Sequence, residues 1–171
     1  MRTDVLLRPE RPEDHAVLGD LITSAFAGKP YAEGDEAELL VALRKADALV
    51  LSLVAERDGV VVGQVAFSPA RASGGKERWY ALGPVAVLPA HQGRGIGSKL
   101  IRSGLEALTA QGADGCILVG DPNYYTRFGF QLSPENAPAG QPADHFMVKV
   151  LGGRRPEGPI SFHEAFGGGT T

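Results

Sequence analysis

Leu82-Gly83-Pro84-Val85-Ala86-Val87-Leu88-Pro89-Ala90-His91-Gln92-Gly93-Arg94-Gly95-Ile96-Gly97-Ser98-Lys99-Leu100 is the stretch whose reading decides the fold. The apolar run to Leu88 reads as a buried strand, Pro89 marks a turn, and a glycine-rich loop leads into a helix. Glycines at 93, 95 and 97 leave backbone N–H groups uncovered by side chains. Those donors sit at the positive end of the following helix, an arrangement that holds a phosphate or pyrophosphate. We read the loop as holding the pyrophosphate of a coenzyme.

Working outward, the helix after the loop runs from Gly95 to about Gln111, with Ile96, Leu100, Ile101, Leu105 and Leu108 on one face. Gly112-Ala113-Asp114-Gly115 ends it, and Cys116–Val119 reads as a buried strand. Strand, crossover helix and strand form a right-handed unit, so the strands at 84–88 and 116–119 are expected to be parallel. Asp121-Pro122 opens a short helix carrying Tyr124, Tyr125 and Phe128, closed by Gly129. A strand over His145–Leu151, a last one near Ile160–His163 and a mobile tail from Gly167 to Thr171 complete this side.

In the other direction, Leu49–Glu56 and Val60–Phe67 form a hairpin around Asp58-Gly59, and Ser73-Gly74-Gly75-Lys76 makes a second turn. Val5–Arg8 is a first strand, and Pro12-Glu13-Asp14 supplies a helix start. Val17, Leu18, Leu21, Ile22, Ala25 and Phe26 give that helix one inward face. A second amphipathic helix from about Asp35 carries Leu39, Leu40, Leu43 and Ala46.

At 171 residues the chain fits one domain with a real core. A net charge of -3 with no basic stripe argues against nucleic acid as a partner. No apolar run approaches the ~20 residues of a membrane span, and Met1–Asp4 is followed by no secretory apolar region. Cys116 is the single cysteine, and no Cys/His spacing suggests a metal, so a cytoplasmic protein without a metal is expected. Cys116 lies in an apolar strand far in sequence from any histidine, which points to inert packing.

Two nucleotide motifs are excluded. Gly97 is followed by Ser98-Lys99 and not by Lys-Ser or Lys-Thr, and Gly-x-Gly-x-x-Gly counted from Gly93 ends on Ser98. A ligand-free turn stays open for an isolated loop; the strand before it, the helix after it and the tyrosine segment weigh against that here.

Gln92-Gly93-Arg94-Gly95-Ile96-Gly97 resembles the Gln/Arg-x-x-Gly-x-Gly/Ala signature of the GNAT acyltransferase superfamily. Tyr125-Thr126-Arg127-Phe128-Gly129-Phe130 is similar to its Tyr-x-x-x-Gly-Phe segment. The order of elements resembles that fold over residues 4–151, with 152–171 as a C-terminal extension. Leu82–Val87 and Gly120-Asp121-Pro122-x-Tyr124-Tyr125 look like those of bacterial predicted N-acetyltransferases. The resemblance implies an α/β (α+β type) domain with a mixed sheet of about six to seven strands flanked by helices. A V-shaped splay is expected between the strands at 82–88 and 116–119.

It also implies acetyl-CoA as donor. Main-chain groups of Val85, Ala86 and Val87, with Val119 and Asn123 opposite, would meet the pantetheine arm. The amides of Gln92, Gly93, Arg94, Gly95, Ile96, Gly97 and Ser98 would take the pyrophosphate, with the Arg94 side chain either adding charge or lying in solvent. Tyr125 is implied as the acid for the leaving thiolate, against a purely packing role. Phe26, Tyr31 and Tyr80 are candidates to line the acceptor pocket, while Trp79 reads equally as core.

The strand from Ala81 to Leu88 holds no carboxylate, and Glu33, Glu36, His91, His145 and Asp121 leave the general base unassigned. The acceptor is expected to be a small-molecule amine or a protein amino group, used by a monomer or homodimer. A non-catalytic acyl-CoA sensor is the alternative. A dinucleotide site is disfavoured because Asp114, at about the right distance, falls in the turn before the strand.

Overall fold

The computed structural model describes residues 5–29, 34–72, 75 and 77–166. Tyr31, Glu33, most of the turn at 73–76 and the tail from Gly167 lie outside them. The elements are β1 (Leu6–Pro9), α1 (His15–Phe26), α2 (Glu36–Lys45), β2 (Leu51–Arg57), β3 (Val60–Ala72) and β4 (Trp79–Val87). They continue with α3 (Ile96–Ala110), β5 (Gly115–Val119), α4 (Pro122–Tyr125), β6 (Gln131–Leu132), β7 (Phe146–Val150) and β8 (Ile160–Ser161). The strand order is β1-β2-β3-β4-β5-β7-β6, with β8 paired to β3. The chain forms two compact units, Met1–Phe67 with Gly83–Gly104, and Ser68–Leu82 with Leu105–Thr171.

In the first unit β2 pairs antiparallel with β1 and β3. The β2–β3 turn places Asp58 at φ 52° and Gly59 at φ 78°, the backbone of a tight right-twisted hairpin. One face of these strands carries the core: Leu18, Leu21, Ile22 and Ala25 of α1 and Leu40 of α2 close over Val54, Val61, Ala66 and Ala86. The α1 stripe is narrower than expected. Val17 is 47% exposed, because Leu18, Leu21, Ile22 and Ala25 fill the space against the sheet and Val17 lies a hundred degrees round the helix from Leu18. Ala46, expected on the apolar side of α2, is its exposed C-cap.

The helix start expected at Pro12 is a 3-10 turn, Pro12–Asp14, and α1 begins at His15. Asp14 sets this junction. Its carboxylate accepts from both arms of the Arg8 guanidinium, at 2.8 and 2.9 Å, and from the Arg11 N–H at 2.7 Å. Arg8 also donates to Glu56 at 2.7 Å, so strand and helix are tied through one half-buried cation. A few residues on, Glu10 accepts from Arg44 and Ser52 at 2.7 and 2.6 Å.

In the second unit β4 and β5 are parallel, as the crossover helix requires. Trp79, Ala81, Ile117, Phe146, Val148 and Ile160 form its core. Gly115 makes this packing possible: a Cβ there would press on the Trp79 indole and lie 2.8 Å from the Lys149 carbonyl oxygen. The two-residue strand β6 is an addition to the expected elements. The last strand is confined to Ile160–Ser161.

The hydrogen bonds from Arg8, followed by that from Arg11, hold the Asp14 carboxyl down from 3.8 to about 2, against the opposing effect of burial. A depressed carboxyl stabilises the fold above its unfolded value, and that contribution is lost as pH falls through the folded one. The stability deficit of Asp14→Asn, measured by urea denaturation, should therefore shrink by about 2 kcal/mol between about pH 5 and pH 2. A deficit that does not change with pH would remove the ion pair as its cause.

Candidate active site

The glycine loop belongs to the first unit. At the end of β4 the Leu88 N–H donates to the Val62 carbonyl at 2.9 Å, fixing the strand to β3. Pro89–His91 then makes a 3-10 turn, in which the His91 N–H donates to Leu88 at 2.8 Å. The Gln92 side chain folds back and donates from Nε2 to the Val87 carbonyl at 2.9 Å. Gln92 thus ties the loop to the strand it leaves.

Gly93 and Gly95 adopt φ 79° and 82°, and a Cβ on either would meet nothing within 4 Å. These glycines are required by their backbone conformation, and the space beside them is open. Gly97 has no such φ; it is the second residue of α3. The first helical hydrogen bond runs from the Lys99 N–H to the Gly95 carbonyl at 3.1 Å. The amides of Ile96, Gly97 and Ser98 precede it and have no partner inside the helix. Ile96 is 1% exposed and anchors this row from below, while Arg94 is exposed.

The position of α3 depends on a residue the sequence analysis passed over. A Cβ on Gly63 of β3 would lie 3.1 Å from Leu100 Cδ1, 3.2 Å from Ile96 Cγ2 and 3.4 Å from the Ala86 carbonyl oxygen. A glycine inside an otherwise β-branched strand signals such a close approach. Val85 and Val87 are half-buried, and between them Ala86 packs into the core at 5% exposure.

The tyrosine segment belongs to the second unit. The β4–β5 ladder consists of Trp79↔Gly115, Tyr80↔Cys116 and Ala81↔Ile117 and ends there. β5 continues to Leu118 and Val119, which pair with Met147 and Phe146 of β7. Val119 is 39% exposed, an apolar side chain at the end of a strand. Next, the Asp121 carboxylate caps α4 by accepting from the Asn123 N–H at 2.9 Å. The Tyr125 ring lies on Gly120, where a Cβ would be 2.6 Å from its Cε2. It meets Tyr124 edge-on at 4.9 Å and Phe130 at 6.1 Å. Gly129, at φ 92°, turns the chain so that buried Phe128 and Phe130 brace this cluster. Tyr124 is covered by the Arg127 guanidinium at 4.5 Å, consistent with a structural place.

Of the other candidates, Tyr80 is buried at 9% exposure. Phe26 lines a cavity of about 320 Å³ in the first unit, between the end of α1 and the start of α2, together with Thr23, Lys29, Glu36 and Ala37. Asp121 is engaged as a cap, and His145 is exposed beside Asp144 at 3.1 Å. The His91 Nδ1 is buried with no protein partner. Cys116 is fully buried, and loss of solvent pushes its thiol up, out of the nucleophilic range. Among the described residues no cluster of three His, Cys, Asp or Glu is placed to hold a metal, and no helix is long and apolar enough to cross a membrane.

A strand that turns off into an open amide loop at a helix start, with a packed Tyr-x-x-x-Gly-Phe segment, defines the class: an acyltransferase of the GNAT fold. The chain belongs to the acetyltransferase (GNAT) family, whose family model matches residues 15–130. It is 37% identical over 131 residues to the uncharacterized N-acetyltransferase YhbS of Escherichia coli K12, covering 75% of each chain. A GNAT family acetyltransferase from Brucella melitensis, solved in complex with acetyl-CoA, is 46% identical with a TM-score of 0.84, covering 95% of this chain and 98% of that one. The structure of Escherichia coli YhbS in complex with CoA is 32% identical with a TM-score of 0.85, covering 98% and 96%.

Gly93, Gly95 and Gly19 of α1 all face open space, but only Gly93 and Gly95 carry positive φ. Gly95→Ala should therefore cost about 1 kcal/mol, whereas Gly19→Ala, inside a helix, should gain a similar amount. Urea denaturation of the two variants reads the opposite signs directly.

Proposed function

We propose that the protein moves the acetyl group of acetyl-CoA directly to an amine within a ternary complex. The observation that carries this reading is the loop itself: glycines held at positive φ, open space beside them, and helix-start amides with no helical partner. The complexes of the Brucella and Escherichia relatives with acetyl-CoA and CoA support the choice of donor. The amides from Gly93 to Ser98 take the pyrophosphate, with Arg94 adding charge near it, while the Gln92 N–H, expected among them, donates to the Pro89 carbonyl at 3.3 Å. Main-chain groups of Val85, Ala86 and Val87, together with Val119 and Asn123, meet the pantetheine arm.

The amine nitrogen attacks the thioester carbonyl while a backbone N–H of Val85 or Val87 polarises its oxygen. The carbon–sulfur bond breaks, and the Tyr125 hydroxyl gives its proton to the departing thiolate. The proton lost by the amine goes to water. The rigid seating of the Tyr125 ring on Gly120 supports this role, since a proton donor must be held still. The acceptor is a small-molecule amine or a protein amino group, Phe26 lines its approach, and the working form is a monomer or homodimer.

Calorimetric titration with acetyl-CoA, with dephospho-CoA and NAD as controls, tests the donor. Micromolar binding is expected, and Gly95→Trp should abolish it in a protein that still folds. No binding to wild type would remove the donor and the transferase reading together. Tyr125→Phe should keep donor affinity and lower acceptor-dependent thiol release on the order of a hundredfold. An unchanged rate would leave Tyr125 a packing residue, and absence of thiol release with any amine would favour an acyl-CoA sensor.

A further inference from the structure

The cavity between the end of α1 and the start of α2 is lined by side chains of both charges. Lys29 and Glu36, each half-buried, border it together with Thr23, Phe26 and Ala37. Its volume of about 320 Å³ lies at the lower end of the range for small-molecule sites. Phe26 and Ala37 also pack against the core that holds Ala86, and Leu88 rests on the same core. The cavity thus shares an apolar floor with the end of β4, the strand proposed to hold the thioester.

Each polar group of the lining offers one kind of bond. Gly28, at φ 73°, turns the chain off α1, and the Lys29 N–H donates back to the Phe26 carbonyl at 3.1 Å. Anchored there, the lysine brings an ammonium that donates and cannot accept. Among the described residues no carboxylate forms an ion pair with it, Glu36 included. Glu36 stands in the first turn of α2 and brings a carboxylate that only accepts. The Thr23 hydroxyl donates to the Gly19 carbonyl at 2.9 Å, so toward a ligand its oxygen is an acceptor too.

We propose that this cavity selects as acceptor an amine that also carries a carboxylate, an amino acid in the broad sense, with Lys29 as the specificity-determining residue. This rests on the acetyltransferase reading above. The Lys29 ammonium takes the carboxylate, Glu36 and Thr23 accept from the amino group, and Phe26 and Ala37 cover the carbon chain between them. A polyamine would set its second ammonium against Lys29. A phosphate ester would bring up to two negative charges to one cation, with Glu36 on the same cavity. A protein lysine brings no carboxylate of its own, so the small-molecule class is the one the lining matches.

The test uses the full chain, the common amino acids and their carboxamides, with thiol release from acetyl-CoA and calorimetric titration as readouts. At least one amino acid should be used about tenfold better in kcat/KM than its carboxamide. Lys29→Gln should erase that preference and Lys29→Arg should keep it. Acetyl-CoA affinity and the thermal midpoint should be unchanged in both, since Lys29 has no ion pair to lose. Glu36→Gln should raise KM for the amino acid and leave acetyl-CoA affinity as in wild type. Equal use of acids and carboxamides by wild type, or a preference that survives Lys29→Gln, would overturn the proposal. Thiol release with polyamines or protein amino groups alone would overturn it too, while leaving the transferase reading intact. Failure of wild type to bind acetyl-CoA would defeat that reading, and titration of the CoA-free protein with the amino acids reads the cavity separately: binding lost in Lys29→Gln supports the site, and no binding removes it.

Discussion

A missing side chain at residue 63 governs the approach of helix to sheet on which the amide loop depends. With a hydrogen at that point, Ile96 and Leu100 come in close over β3, where a Cβ would lie 3.1–3.2 Å from their side chains and 3.4 Å from the Ala86 carbonyl oxygen. A methyl group there would push on two branched side chains at once, in a core whose density leaves little room to yield. Because the row of helix-start amides begins at Ile96, any displacement of α3 would move those donors with it. The same economy of space recurs in the second unit, where Gly115 accepts the Trp79 indole and Gly120 the Tyr125 ring.

Charge is handled conservatively around these packed surfaces. Arg8 lies half-buried between Asp14 and Glu56, and Glu10 between Arg44 and Ser52, each joined to its partners by short bonds. In the second unit Asn136 is fully buried and donates to the carbonyls of Pro156 and Gly158 at 3.1 and 2.7 Å. Those bonds seat the C-terminal segment.

Much of the architecture was legible because its signals are local. Asp58-Gly59 specifies its turn through two positive φ angles, and Gly93 and Gly95 specify the loop in the same way. The parallel pairing of β4 and β5 followed from the length of the intervening helix. What escaped depends on distant partners. β6 is two exposed residues whose only signal is their pairing with Met147 and Val148, and two residues carry no periodicity. Val17 is as apolar as its neighbours, so only the packed helix shows which of them reaches the sheet. Gly63 breaks an apolar run in the sequence, yet its meaning lies in what α3 brings against it. The tyrosine motif was readable as a pattern, while the floor under its ring, Gly120, emerged from the structure.

The burial of Trp79 has an optical consequence. It is the only tryptophan in the chain, it is 1% exposed, and it lies in the core of the second unit against Gly115. Indole emission therefore reports a single, solvent-shielded environment and shifts to the red when that core opens. The first unit, which carries the glycine loop, contributes no indole to the signal. Emission and far-ultraviolet circular dichroism would thus follow different parts of the molecule, and their superposition or separation on heating would reveal whether the two halves melt as one.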